Sequence, residues 1–173
     1  FYCSCCGLFF VISRMSLSDF QARIDDLVRD KDQVISSGQR DQALNNAVLR
    51  YSLDFPRVVT VDLVSPGGTF LPLPAGWQTG YSKALAFEYP VDESPISEIP
   101  MNEVTQRYFP SEVKFEFQIS FTAGEAIRLR YTQRNVVDAT LDTIREEHRF
   151  PVCCLAASIL CGELANWYAT EGA

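Results

Sequence analysis

Residues 113–121 read VKFEFQISF. Successive side chains of an extended chain point to opposite faces, so Val113, Phe115, Phe117, Ile119 and Phe121 line one face and Lys114, Glu116, Gln118 and Ser120 the other. This predicts a strand with one core face and one wet face. Downstream, the Ala123-Gly124-Glu125 turn leads to Ile127, Leu129 and Tyr131, which alternate with Arg128 and Arg130, so the two segments are expected to pair as an antiparallel hairpin.

The same two-residue period holds upstream. From Arg57, Val59, Val61 and Leu63 alternate with Val58, Thr60 and Asp62, and Pro66-Gly67-Gly68 offers a turn into residues 69–73, a second expected hairpin. A third strand, residues 85–89, stops at Pro90. Between it and the opening stretch lies ESPISEIPMNEVTQRYFPS, residues 93–111, expected as a long surface excursion from the sheet.

Outside the strands the period is 3.6. Ser18 is the expected N-cap of a first helix, with Gln21 completing a capping box and Phe20, Ile24, Leu27 and Val28 forming its apolar stripe. Ser36-Ser37-Gly38 breaks the pattern, and Leu44, Ala47, Val48 and Tyr51 build a second stripe that Pro56 stops. After Asn135 helical signals return, with Thr143 and Glu146 at capping-box spacing. Pro151 has no N–H and is expected to open a new helix running to about Tyr168. The order predicts an α+β fold: a small helical bundle of two N-terminal helices and a long C-terminal helix, with an inserted antiparallel β-sheet region at about 57–135.

At 173 residues the chain supports one domain with a real core, and 47% hydrophobic against 21% charged residues fits a folded protein. The first fourteen residues, FYCSCCGLFFVISR, are too short an apolar run for a membrane span of about 20 residues and lack the basic leader of a signal peptide. They read as an upstream-translated or non-native leader, with Met15 as the natural start and 15–173 as the domain. The formal net charge of −7, with no cluster of Lys and Arg to offset it, argues against sequence-specific DNA binding. It suits a surface that nucleic acid passes without sticking, because repulsion removes the electrostatic attraction that dominates non-specific affinity.

The six cysteines form two clusters, Cys3, Cys5, Cys6 and Cys153, Cys154, Cys161, which is unlike a secreted disulfide framework and points to a reducing compartment. HRFPVCCLAASILCGELANWYA, residues 148–169, places the single histidine beside the second cluster. Cys154 and Cys161 share a helical face, Cys153 points about 100° away and His148 precedes Pro151, so the four do not converge on one ion. With Leu155, Ala156, Ala157, Ile159, Leu160 and Gly162 around them, the stretch is expected as a buried central helix. Pro151 and Glu163 bound an apolar run of about a dozen residues, which is short for a membrane span.

Other catalytic signals are near misses. Gly80-Tyr81-Ser82-Lys83-Ala84 begins like a nucleophile elbow but lacks the second glycine, and reads as a turn before a strand. Gly67-Gly68 precedes a strand and so presents no helix N-terminus to a phosphate. Asp25-Asp26 and Glu146-Glu147 are helical neighbours whose carboxylates diverge. No cofactor, metal or catalytic set is expected.

Three stretches, RYSLDFPRVVTVDL (50–63), LPAGWQTGYSKALAFEYPV (73–91) and EEHRFPVCCLAASILCGELANWYATEGA (146–173), resemble the small head-to-tail adaptor (connector, neck) proteins of tailed bacteriophages. The resemblance covers most of residues 18–173. It implies a helical bundle with an inserted β-structure, copies that assemble as a ring, commonly of twelve, and a structural role without cofactor. The implied partners are the portal protein, the next neck, stopper or tail protein, and double-stranded DNA passing without sequence-specific contacts. The implied place is the virion neck, assembled in the host bacterial cytoplasm, with no membrane. Trp77, Tyr81, Phe87, Tyr89 and Pro90 match a W…Y…EYP-like segment that reads as scaffold for the β-insertion. Two departures stand out: Pro151 falls where similar sequences carry a helix former, and the chain stops at Ala173, where a polar linker and a further segment are expected. Phe20, Arg23, Glu98 and Arg107 are the candidate partner-binding residues. The competing readings are a non-catalytic module that binds a peptide along a sheet edge, and an enzyme centred on His148 and Cys153.

Overall fold

A computed structural model describes residues 15–30 and 32–171. The leader read at residues 1–14, with Cys3, Cys5 and Cys6, lies outside them. The element order is α1 (Leu17–Val28), α2 (Ser37–Asp54), β1 (Arg57–Val64), β2 (Gly68–Pro72), β3 (Ala84–Glu88), β4 (Glu98–Ile99), β5 (Val104–Tyr108), β6 (Val113–Phe121), β7 (Ala126–Gln133) and α3 (Glu146–Glu171). The fold class is α+β, with helices before and after an antiparallel β-region in the chain. The chain divides into two units, Leu49–Asn135 and the segments before and after it, so one boundary falls inside α2.

In the helical unit, α1 starts two residues earlier than expected. Its cap is Ser16 rather than Ser18: the Asp19 N–H donates to Ser16 Oγ at 3.3 Å, and the Asp19 carboxylate accepts the Ser16 N–H at 2.7 Å. A charged acceptor at the third helical position outcompetes Gln21 because it also complements the helix dipole. Phe20 and Ile24 are buried, whereas Leu27 is 39% exposed. The Ser36-Ser37-Gly38 break holds the next cap, with the Gln39 N–H donating to Ser36 Oγ and the Ser36 N–H to Gln39 Oε1. α1 packs on α3, and Ala43, Leu44, Ala47 and Val48 add the buried side chains of α2 in this unit.

α3 departs from expectation at its start. It begins at Glu146 and passes through Pro151, one continuous helix of 26 residues. Proline this close to the N-terminus costs one intrahelical hydrogen bond, that of the Glu147 carbonyl. Thr143 Oγ1 accepts the Val136 N–H at 2.8 Å and closes the loop that brings Val137 opposite Asp142.

In the β unit two sheets form, ordered β1-β7-β3-β4 and β2-β6-β5. Leu71, Phe115, Phe117 and Phe121 from the second meet Phe87, Ile99, Ile127, Leu129 and Tyr131 from the first in one buried cluster, so the sheets enclose a sandwich core. Neither expected hairpin exists. β1 pairs with β7 over all eight residues and β2 with β6, so the Pro66-Gly67-Gly68 and Ala123-Gly124-Glu125 turns each carry the chain from one sheet to the other. The physical reason lies in the turns, which bond to each other: Ser65 N–H donates to the Glu125 carbonyl at 2.8 Å and Gly124 N–H to the Ser65 carbonyl at 2.9 Å. Gly67 and Gly68 both take positive φ, a backbone few other residues adopt.

The 93–111 stretch is also more ordered than expected. It supplies β4, a 3₁₀ turn at Met101–Glu103 and β5, so it forms one edge of each sheet.

Candidate functional site

The residues singled out from sequence fall into the two units separately. Phe20 has no exposed surface in the helical unit. It is corrected from a partner-binding candidate to a core residue, because the apolar stripe that made it conspicuous is the stripe α1 buries. Arg23 is exposed on α1, with its guanidinium carbon 5.2 Å from the centre of the Phe150 ring. Glu98 lies on β4 and accepts Arg130 Nη2 at 2.5 Å; Arg107 lies on β5 and donates to Glu116 at 2.6 Å. Glu98 and Arg107 therefore sit on edge strands of the two different sheets, both exposed.

Those edges are the main unpaired backbone of the β unit. Among the described residues no strand pairs with the outer side of β1, an eight-residue edge with Val58 56% and Val64 65% exposed on its outward face. β5, one of the two edges of the other sheet, ends in Tyr108, 70% exposed. Native sheets usually blunt or cover an edge of this length, and a long edge flanked by apolar side chains is a template for another strand. Sequence periodicity located β1 but assigned its partner wrongly, so the free edge was not legible.

The outer face of the first sheet is electrostatically closed. Arg128 Nε donates to Asp62 at 2.7 Å and Nη1 to Asp92 at 2.7 Å, with Glu88 at 3.6 Å. The hydrogen bond from Arg128 holds the Asp62 carboxyl below its usual range. These groups satisfy one another.

A cleft of about 430 Å³ opens in the β unit, with Trp77, Tyr81, Lys83, Thr105, Tyr108 and Phe115 among its walls. No carboxylate, histidine or cysteine lines it; its titratable side chains are Tyr81, Lys83 and Tyr108. The segment around it, from Trp77 to Tyr89, packs and bonds within the unit. Trp77 packs on Phe115 and Tyr131, the Tyr81 hydroxyl donates to the Ser52 carbonyl, Phe87 is buried, and the Tyr89 hydroxyl donates to Glu125 at 2.7 Å. That bond, then the Thr122 N–H, holds the Glu125 carboxyl low and fixes the crossover turn. Ser82 of the near-miss elbow accepts the Gln78 N–H at 3.0 Å and forms a turn before β3.

The cysteine helix is only half interior, which corrects the expectation of a buried central helix. Cys153 is buried and its thiol is pushed up to about 11 by desolvation, the reverse of nucleophile activation, while Cys154 and Cys161 are exposed. Among the described residues no three His, Cys, Asp or Glu side chains gather to hold a metal. Because α3 runs through Pro151, it is long and apolar enough by length and composition to cross a membrane, and 28% of that stretch is buried.

Comparison with protein-family models, with curated proteins and with solved structures returned no match for this chain.

Proposed function

We propose that the protein is a structural adaptor that assembles with copies of itself as a ring in the head-to-tail neck of a tailed phage, joining the portal to the next neck, stopper or tail component. The observation that carries this reading is the open eight-residue edge of β1 together with an unlike open edge at β5. Ring closure needs a heterologous contact, two different patches of one chain repeated around an axis. Two dissimilar strand edges on one unit meet that need, and Arg107 on β5 lies within such a patch. The net charge of −7 supports a lumen from which passing DNA is not held. The resemblance of residues 50–63, 73–91 and 146–173 to neck adaptors supplies the biological setting.

The test is the particle mass in solution across a concentration series, alone and with a purified portal ring. A closed oligomer, or a chain that binds the portal ring in stoichiometric number, is the expected result; a monomer that ignores the portal ring defeats it.

A second reading is favoured by the cleft beside β5. An extended peptide that added a strand to β5 could place one side chain between Trp77 and Tyr108, and the protein would then be a peptide-binding module. A stable monomer that binds extended peptides would select it.

A further inference from the structure

Val104 and Gln106 of β5 stand opposite Phe117 and Phe115 of β6, which are 3% and 1% exposed. Paired residues point to the same face of a sheet, so Val104, Gln106 and, two residues on, Tyr108 face the inside of the sandwich. They are poorly covered there, for Gln106 is exposed and Tyr108 is 70% exposed. β4, which the Met101–Glu103 turn joins to β5, is two residues long, so the first sheet supplies little to lie over its neighbour. β5 is thus open twice, along its edge and over its inner face. The cleft of about 430 Å³ fills that opening: it touches the successive residues Val104, Thr105 and Gln106, whose side chains alternate in direction, and so runs along the strand edge. Its far wall is the stretch 79–84.

We propose that the cleft takes an extended acidic segment of a partner protein, with apolar side chains at two alternate positions pointing inward and a carboxylate between them. The proposal deepens the reading of β5 as a peptide edge and rests on it. The five residues of β5 offer about 17 Å of edge, the length of a five-residue strand. Alternate side chains of an added strand fall over the inner face beside Gln106 and Tyr108, against Trp77, Phe115 and Met101, the last 41% exposed. Those walls select apolar groups. The side chain between them points away from the core. Lys83, on the far wall, is exposed, is the only charged residue lining the cleft and has no ion pair among the described residues. An uncompensated ammonium beside an open strand edge attracts a carboxylate and repels a second cation, which sets the charge of the partner.

The test uses the full chain with Trp167→Phe, which leaves Trp77 as its single tryptophan, and follows that fluorescence against the peptide acetyl-Thr-Val-Glu-Phe-Thr-amide. A saturable change is expected. The same peptide with Lys in place of Glu binds about fivefold more weakly, and Lys83→Ala brings the two peptides within about twofold of each other without moving the thermal melt. Tyr108→Ala weakens both. Two N-methylated peptides, one modified at Val and Phe and the other at Glu and the last Thr, probe the backbone. A paired strand bonds through one alternate set of amides, so one of these loses binding and the other keeps it. Binding of both as tightly as the parent would defeat the peptide-edge reading itself. Selective loss on methylation together with equal binding of the Glu and Lys peptides would leave that reading standing and overturn the acidic partner. No change at Trp77 with any of these peptides, or tighter binding of phenylacetate than of the parent peptide, would overturn an extended segment as the occupant.

Discussion

The guanidinium of Arg149 stands 2.8 Å from the carboxylate of Asp142, with their side chains 9% and 1% exposed. Arg149 is on α3 and Asp142 in the loop before it, where its second oxygen accepts the Ile144 N–H at 2.9 Å. The pair pins the start of α3 to that loop. Removing one partner of a buried pair strands a charge, a loss of about 3–5 kcal/mol, whereas replacing both partners is far milder. Arg149→Met should therefore lower the denaturant midpoint sharply. Adding Asp142→Asn, which keeps an acceptor for Ile144, should recover more than half of the loss.

Phe115 and Ile119 were expected on the same face of β6, yet Phe115 is 1% exposed and Ile119 is 37% exposed. β5 pairs with β6 only as far as Phe117, and β2 bulges between Gly68 and Phe70, so residues 118–120 run uncovered. Phe115→Ala should cost about 3–5 kcal/mol as a core cavity. Ile119→Ala should stay within about 1 kcal/mol. Chemical unfolding of the two variants side by side checks both values.

Periodicity located every helix and five of the seven strands, because burial of one face is written into the spacing of Phe115 and Phe117 or of Phe20 and Ile24. It did not give partners. Which strand β6 joins depends on the Ser65–Glu125 and Ser65–Gly124 backbone bonds between two turns far apart in sequence, and no local pattern encodes them. The short strand β4 and the edge β5 were missed for the opposite reason: Glu98 to Tyr108 is polar and mostly exposed, and its pairing supplies the only order. In the helical unit, the Phe20 stripe correctly signalled packing, and reading it also as a contact surface counted the same apolar face twice.

The same shift of register makes the α1 cap testable. Ser16→Ala removes the side-chain acceptor of the Asp19 N–H and should cost about 1 kcal/mol. Ser18→Ala, within the first turn, should cost much less. A thermal melt that ranks Ser18 above Ser16 would contradict the observed cap.

Cys153 is buried where Cys154 and Cys161 are exposed, and that burial pushes its thiol up. Cys154 and Cys161 should label with maleimide within minutes at pH 7.5 in the native protein, and Cys153 only on unfolding. The sign of its pH dependence follows from its thiol lying at about 11 in the fold against an ordinary 9.0. Between these values the unfolded chain loses the proton and the folded chain keeps it, so stability falls as pH rises from about 9 to about 11. Cys153→Ala should reduce the slope in that window and leave the melt below pH 8 less pH-sensitive than its overall loss of packing.

The open edge of β1 separates assembly from folding. Val58 and Val64 are more than half exposed and contribute little to the core, so Val58→Lys and Val64→Lys should each leave the melt within about 0.5 kcal/mol of the parent. Lysine on an edge strand is also a device by which sheets refuse further strands, since adding one would bury or crowd the charge. If β1 is half of a ring contact, the double variant should lose the closed oligomer, and with it portal binding, while remaining as folded as before. If particle mass and portal binding are unchanged, the strand edge is not the contact and the adaptor reading loses its main support.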